Sequence, residues 1–264
     1  MFAQYLQIWG LLVDGSPIVT NSGSLLPVQW RGQPAMLKIA VAEEEKLAPG
    51  LMTWWNGEGA ARVLAHDGDA LLLERAKGSI SLAELARTGR DDEASRIICS
   101  VVSRLHAHAD KPPPGLTPLA YWFQGLNAAA EVHGGVFATS AVIARELLAK
   151  PRDVRVLHGD IHHFNILDFG ERGWLAIDPK GLIGERGFDY ANLFCNPDLE
   201  TAGAPERFFC RVKLVAEVAH LERERLLKWI LAWAGLSAAW HLEDGTSPAT
   251  ALTIAGMVVA ELNS

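Results

Sequence analysis

The chain has 264 residues, 49% of them apolar, and 24 basic against 31 acidic side chains leave a net charge of −7. That is ample for the core of one large domain or two lobes, and the acidic balance speaks against nucleic acid and for a small cationic partner. Cys99, Cys195 and Cys210 are too few and too scattered for a disulfide framework, the N-terminus lacks a basic secretory n-region, and no apolar run reaches the roughly 20 residues a bilayer span requires.

A reducing cytoplasm and no membrane partner are therefore expected. From Leu6 to about Leu73 the texture is that of strands: Ile8–Val13, Ile18–Thr20, Leu25–Trp30 and Ala35–Ala40, punctuated at Asp14-Gly15 and Arg31–Gln33, predict an antiparallel meander. The loop Thr20-Asn21-Ser22-Gly23-Ser24 reads either as an ordinary hairpin turn or as a phosphate cover built from backbone N–H groups at Ser22 and Gly23. Neither a G-x-G-x-x-G nor a Walker pattern is present. Lys38 sits on an otherwise apolar strand, a costly place for an ammonium without a partner. Glu43-Glu44-Glu45 open a helix that Pro49-Gly50 must interrupt or end.

Leu71–Leu73 read as a buried strand running through Glu74 to Gly78 into helix formers, which places a lobe boundary there. Helices follow over Ser81–Arg87 and Asp91–Ala109; in the second, Ile97, Ile98, Val101, Val102 and Leu105 recur at helical spacing, with Asp91 as its cap. Pro112-Pro113-Pro114-Gly115 makes a stiff connector. Further helices are predicted over Pro118–Val132, Thr139–Ala149, Phe188–Cys195, Pro205–Leu221 and Glu222–Trp240, and a last one after Pro248. Leu226, Trp229, Ile230, Trp233, Leu236 and Trp240 share one helical face, which reads as core rather than as a stacking platform.

The chemistry concentrates between Val156 and Gly181. Ile166–Leu167 and Trp174–Ile177 flank Asp168–Gly173 as a hairpin, and its converging ends bring Asp160, Asn165 and Asp178 together. An acid, an amide and a second acid suit phosphoryl transfer: one carboxylate to orient a hydroxyl and take its proton, and two oxygen ligands for magnesium. His158, His162 and His163 lack the spacing of a zinc site, and no Gly-x-Ser-x-Gly elbow supports a hydrolase, so they read as scaffolding. Asp168-Phe169-Gly170 has the letters of a kinase metal motif but falls where the hairpin must turn; Asp178 is the better metal ligand.

The segments His158–Asn165, Ile177–Gly181 and Gly187–Asn192 resemble the aminoglycoside phosphotransferases, within them the streptomycin 6-kinase and hydroxyurea-resistance kinase branch. Ala35–Lys38, Thr53–Arg62 and Gly235–Trp240 extend the likeness over nearly the whole chain. The resemblance implies an α+β, protein-kinase-like bilobal fold: an N-terminal antiparallel sheet lobe over residues 1–76, a hinge at about 74–78, and a mainly helical C-terminal lobe over 79–264. It implies ATP and Mg²⁺ as cofactors, Asp160 as catalytic base, Asn165 and Asp178 as metal ligands, Lys38 on the nucleotide phosphates, and Glu74 to Ala76 as the hinge that meets adenine. The partner of Lys38 lies among Glu43, Glu44 and Glu45, with Glu45 preferred. Phe164 stands where such relatives carry Glu or Gly.

By the same resemblance, Asp189 holds backbone N–H groups beneath the catalytic loop rather than substrate. The implied substrate is streptomycin, phosphorylated at the 6-hydroxyl of its streptidine ring, with Glu185, Asp189, Glu243 and Asp244 as candidates to receive its guanidinium groups. A kinase for hydroxyurea or another small hydroxylated compound is the alternative, and a non-catalytic nucleotide-binding regulator a further one. No Ala-Pro-Glu or activation segment follows Asp178, which argues against a protein kinase.

Overall fold

A computed structural model describes residues 2–20, 23–40 and 47–264. Six strands build the first lobe: β1 (Leu12–Val13), β2 (Ile18–Val19), β3 (Gly23–Trp30), β4 (Gln33–Ala40), β5 (Val63–Asp67) and β6 (Ala70–Glu74). They pair in the order β1-β3-β4-β6-β5, with β2 also against β3 and every pairing antiparallel. Arg31 and Gly32 both take positive φ, 51° and 79°, the two-residue turn that matches strand twist and fixes the β3–β4 register from Gly23 opposite Ala40 to Trp30 opposite Gln33.

The meander is present, but its first member differs from expectation. Ile8 ends a helix, α1 (Ala3–Ile8), because Phe2, Tyr5, Leu6 and Trp9 recur at helical spacing and pack on the sheet face made by Leu26, Val28, Leu37 and Leu72. Pro49 also acts opposite to expectation. It stands in the first turn of α2 (Ala48–Trp55), where the missing N–H has no intrahelical partner to lose, so it starts a helix instead of ending one. Glu43, Glu44 and Glu45 lie outside the described residues, as does Ser22.

The second lobe opens with α3 (Leu82–Arg87), capped by the Ser81 hydroxyl, and α4 (Asp91–Ala107). Asp91 does not cap α4 but is its first helical residue, because its buried carboxylate is drawn to Arg211. Next come β7 (Thr117–Pro118), α5 (Leu119–Trp122), α6 (Gln124–His133), α7 (Gly135–Ala149), β8 (Val154–Leu157), β9 (Ile166–Asp168), β10 (Trp174–Ala176) and β11 (Leu182–Glu185). The chain closes with α8 (Leu199–Ala202), α9 (Pro205–Val218), α10 (Arg223–Glu243) and α11 (Ala249–Leu262).

The helix expected over Phe188–Cys195 is two 3₁₀ turns, Arg186–Tyr190 and Asn192–Cys195. Side chains draw this backbone out of helical register: Asp189 turns to the loop after β8, and Arg211 takes the Leu193 carbonyl. At the centre of the lobe, α10 buries Leu226, Trp229, Ile230, Trp233 and Leu236. Gly235 lets α7 approach closely, since a Cβ there would fall 2.3 Å from Ser140 Cβ. Among the described residues no helix is long and apolar enough to cross a membrane.

Candidate active site

β11 lies between β7 and β8, with Leu182 opposite Leu157, so the chain after β8 and the chain before β11 run side by side. Into that junction the sequence places His158-Gly159-Asp160. Gly159 takes φ +87°, and a Cβ there would lie 2.9 Å from Leu182 Cδ1, so the tight approach requires glycine. Asp189 is buried and accepts the N–H groups of His158 at 2.9 Å and Gly159 at 2.8 Å, together with His106 Nε2 at 2.8 Å. It braces the loop backbone, the position its resemblance implied.

His158 is fully buried, and burial pushes its imidazole pKa down in spite of the nearby carboxylates. The neutral ring bridges: Nε2 donates to the Ile177 carbonyl at 2.9 Å, and Nδ1 accepts the Asp160 N–H at 3.2 Å. This ties the loop to the segment just before Asp178. Among the described residues no group of three or more His, Cys, Asp and Glu side chains is arranged to hold a metal.

The hairpin forms as read: β9 and β10 pair with Asp168 opposite Trp174 and Ile166 opposite Ala176, and Ile177 N–H closes on the Asn165 carbonyl at 2.9 Å. Asn165 and Asp178 therefore leave the two strands at the same end. Asn165 Nδ2 donates to the Asp160 carbonyl at 2.9 Å and to Asp160 Oδ2 at 3.2 Å, which leaves its amide oxygen as a metal donor. Asp178 adopts φ +65°, the left-handed state that aspartate tolerates better than most side chains. Its carboxylate pairs with the buried Lys38 ammonium across the cleft between the lobes. An amide oxygen and a carboxylate are the hard donors that suit magnesium.

Asp168 sits at the turn end, where its carboxylate accepts the Gly170 N–H at 2.8 Å. Asp160 is pulled two ways. Burial pushes its carboxyl up, but the His162 hydrogen bond and the positive charge of Lys180 outweigh it and hold the group below the usual carboxylate range. It is therefore an anion, and it faces a cavity of about 770 Å³. Tyr121, Trp122, Trp233 and Trp240 line this cavity on one side, and Asp198 and Asp244 add carboxylates to its wall.

Of the four carboxylates offered as substrate ligands, Asp244 alone lines that cavity. Glu185 is buried elsewhere, held by Arg225 through Nε at 2.6 Å and Nη2 at 2.5 Å, by Trp229 Nε1 at 2.8 Å and by the Arg152 N–H at 2.8 Å. Asp189 is held by the loop backbone, and the exposed Glu243 lies beside Gly125. On the other side of the cleft, Gly23 opens β3 and donates its N–H to Thr20 Oγ1 at 3.2 Å; a Cβ there would fall 2.5 Å from the Ile39 carbonyl. Strand packing thus accounts for this glycine, and its N–H is bonded within the turn.

Glu74 likewise has other partners. Its carboxylate receives the Arg62 N–H at 2.6 Å and Arg172 Nη1, and its own N–H goes to the Arg62 carbonyl, whereas Ala76 packs beside Leu73 and Leu175. Sequence reasoning missed Arg172, the aromatic wall of Tyr121 and Trp122, the pocket face of Trp233 and Trp240, and Asn192, which donates to Asp160 Oδ1 at 2.8 Å. For Asn192 a signal existed, since it stands three residues after Asp189 in the same motif and one 3₁₀ turn returns it to the same side.

The family model described as aminoglycoside/hydroxyurea antibiotic resistance kinase matches residues 8–245. The chain is 52% identical over 245 residues to a streptomycin 3''-kinase of Klebsiella pneumoniae, covering 91% of this chain and 92% of that one. It is 33% identical over 283 residues to a streptomycin 6-kinase of Streptomyces griseus, covering 99% and 87%. In fold it matches a solved aminoglycoside phosphotransferase APH(4)-Ia, in ternary complex with ADP and hygromycin B, with a TM-score of 0.71 at 13% identity, covering 100% of this chain and 98% of the other. A bilobal kinase-like fold, the anion at Asp160, and a family match along most of the length lead to one conclusion: the chain is a phosphotransferase acting on an alcohol group and belongs to the aminoglycoside/hydroxyurea antibiotic resistance kinase family.

Proposed function

We propose that this enzyme transfers the γ-phosphoryl group of ATP to streptomycin, and that the acceptor is the 3''-hydroxyl. The observation that carries the reading is that Asp160, hydrogen-bonded to Asn165, faces a cavity with aromatic and acidic walls, while Asp178, held beside Asn165 by the hairpin, pairs with Lys38. The acceptor position rests on similarity: 52% identity to a 3''-kinase, against 33% to a 6-kinase. The 6-hydroxyl implied by the sequence resemblance is the second reading. A kinase for another small hydroxylated compound is the third, supported by the hydroxyurea branch of the family.

In this reading Asp160, anionic and fixed by amides on both oxygens, aligns the acceptor hydroxyl and takes its proton as the oxygen attacks phosphorus. Lys38 stabilises negative charge on the nucleotide phosphates; without nucleotide its buried ammonium is balanced by Asp178. Asn165 and Asp178 would hold Mg²⁺, which when bound supplies charge neutralisation at the phosphate oxygens. Leu71 and Leu73, which line a small pocket together with Lys38 and Asp178, offer an apolar wall for the adenine base. Tyr121, Trp122 and Trp240 give the sugar rings apolar faces, and Asp244 gives a guanidinium its carboxylate.

The test is ADP release with ATP and magnesium over a panel of acceptors: streptomycin, other aminoglycosides and hydroxyurea. Streptomycin-dependent turnover that falls about 10²–10⁴-fold in Asp160→Asn, which keeps the shape and removes the charge, is the expected result. Turnover with hydroxyurea and none with streptomycin would move the assignment to the third reading.

A further inference from the structure

Asp160 is held from a second side by a chain of amide hydrogen bonds that begins in the core of the helical lobe. Asn192 Nδ2 donates to Asp160 Oδ1 at 2.8 Å. Asn196 Nδ2 donates to the Asn192 backbone carbonyl at 3.0 Å and to the Asn192 side-chain oxygen at 2.9 Å. The orientation of both amides follows from the one partner that has no alternative. A backbone carbonyl only accepts, so the Asn196 group facing it is the NH₂; the Asn192 atom beside that NH₂ is then the oxygen, and the end of Asn192 that meets Asp160 is a donor.

The far end of this chain is anchored. Arg211 Nη1 donates to the carbonyls of Leu193 and Asn196, both at 2.9 Å, and the same guanidinium is gripped by Asp91 through Nε at 3.1 Å and Nη2 at 2.6 Å. Arg211 is 2% exposed and Asp91 6%. A buried, bidentate pair is rigid because breaking it would strand a charge. The segment between the two asparagines is therefore fixed to α4 and α9, and through it the amide that touches Asp160.

We propose that Asn192 is the positioning residue of the Asp160 carboxylate, kept in its donor orientation by Asn196 and Arg211. The inference rests on the reading of Asp160 as the group that takes the acceptor proton. Asn165 holds Oδ2 and Asn192 holds Oδ1, with His162 Nε2 3.6 Å from the same Oδ1, so the carboxylate plane is fixed at the wall of the cavity that Asp160, His162 and Asn192 all line. The two amides have different duties. Asn165 keeps its oxygen for a metal, whereas the oxygen of Asn192 belongs to Asn196.

The test compares Asn192→Ala, Asn192→Asp and Asn196→Ala with the wild-type enzyme by steady-state ADP release over a range of ATP concentrations at saturating acceptor, with thermal unfolding as the measure of folding. Asn192→Asp keeps the shape but sets an acceptor against a carboxylate. Removing a hydrogen bond to a charged group should lower kcat roughly 10- to 100-fold in both Asn192 variants, the aspartate at least as slow as the alanine, with the KM for ATP within about threefold of wild type. Asn192→Asp with kcat within about threefold of wild type would overturn the proposal, because packing and not the donor would then suffice. If the Asn192 variants do not fold, Asn196→Ala decides: lowered kcat with unchanged ATP KM supports the relay, and unchanged kcat refutes it. Absence of wild-type turnover with streptomycin would count against the acceptor assignment alone. The same ratios are then read with whichever acceptor supports turnover, or on the slow transfer to water.

Discussion

His163 shows how much a single residue beside the centre can set the acid limit of the protein. Its ring is buried, neither nitrogen has a hydrogen-bond partner among the described residues, and burial together with Arg211 and His162 pushes its pKa down to about 3. Between the ordinary histidine value and 3 the unfolded chain binds a proton that the folded chain refuses. Stability therefore rises with pH through this window and is lost on acidification, by about 1.4 kcal/mol per pH unit below 6.5. His163→Leu should flatten that dependence in thermal unfolding scans from pH 7 to 4 without lowering stability at pH 7, because no hydrogen bond is removed. An unchanged slope would mean that other groups govern acid sensitivity.

Asp244 carries the matching prediction for substrate. It is exposed on the cavity wall, so Asp244→Asn should raise the KM for streptomycin about two- to fivefold and leave kcat and the KM for ATP alone, the size typical of an exposed ion pair. At this scale the sequence was legible where chemistry is local. The proximity of Asn165 to Asp160 and to the strand end that carries Asp178 could be read because a hairpin of fixed length converts spacing into proximity. Glu185 was misread because a carboxylate beside a motif looks the same whether it faces a cavity or a buried arginine; only the fold brings Arg225 to it.

Among the elements, the β9–β10 hairpin matters most, because it holds both candidate metal ligands at its open end and is stitched to the segment that follows β6. The Asp168 carbonyl accepts the N–H groups of Lys77 at 3.2 Å and Gly78 at 2.9 Å, and Arg172 at the turn reaches Glu74 and, at 2.6 Å, the Gly57 carbonyl. A Cβ on Gly78 would fall 1.9 Å from Asp168 Oδ2, so Gly78→Ala must displace the hairpin. Overpacking of this kind should reduce stability by about 1–3 kcal/mol, and the KM for ATP should rise more than that for streptomycin. Equal effects on both substrates would detach the hairpin from the nucleotide side. The hairpin and most helices could be read from periodicity and turn residues. The first strand and α2 could not, since Ile8 and Pro49 each fit two local structures and tertiary packing chose between them.

For the whole molecule, the kinase-like fold puts an ammonium from the sheet, Lys38, against a carboxylate from the helical part, Asp178, and builds a separate cavity from the catalytic loop and from helices of the middle and the end of the chain. The lobes and their order were legible because strand-like and helix-like periodicities are segregated along the sequence. The cavity was not, because its aromatic wall joins Tyr121 and Trp122 to Trp233 and Trp240 from helices more than a hundred residues apart. The face of α10 read as core is partly that wall: Trp229 is buried, whereas Trp240 packs edge-on against Trp122 at the cavity.

The most direct test of the account is the product itself. Streptomycin incubated with the enzyme, ATP and magnesium, then analysed by mass spectrometry and phosphorus-coupled NMR, should carry a single phosphoryl group at the 3''-hydroxyl, and Asp160→Asn should give none on the same timescale. A phosphoryl group on the streptidine ring would contradict the acceptor position, and unmodified streptomycin after prolonged incubation with folded enzyme would contradict the central claim.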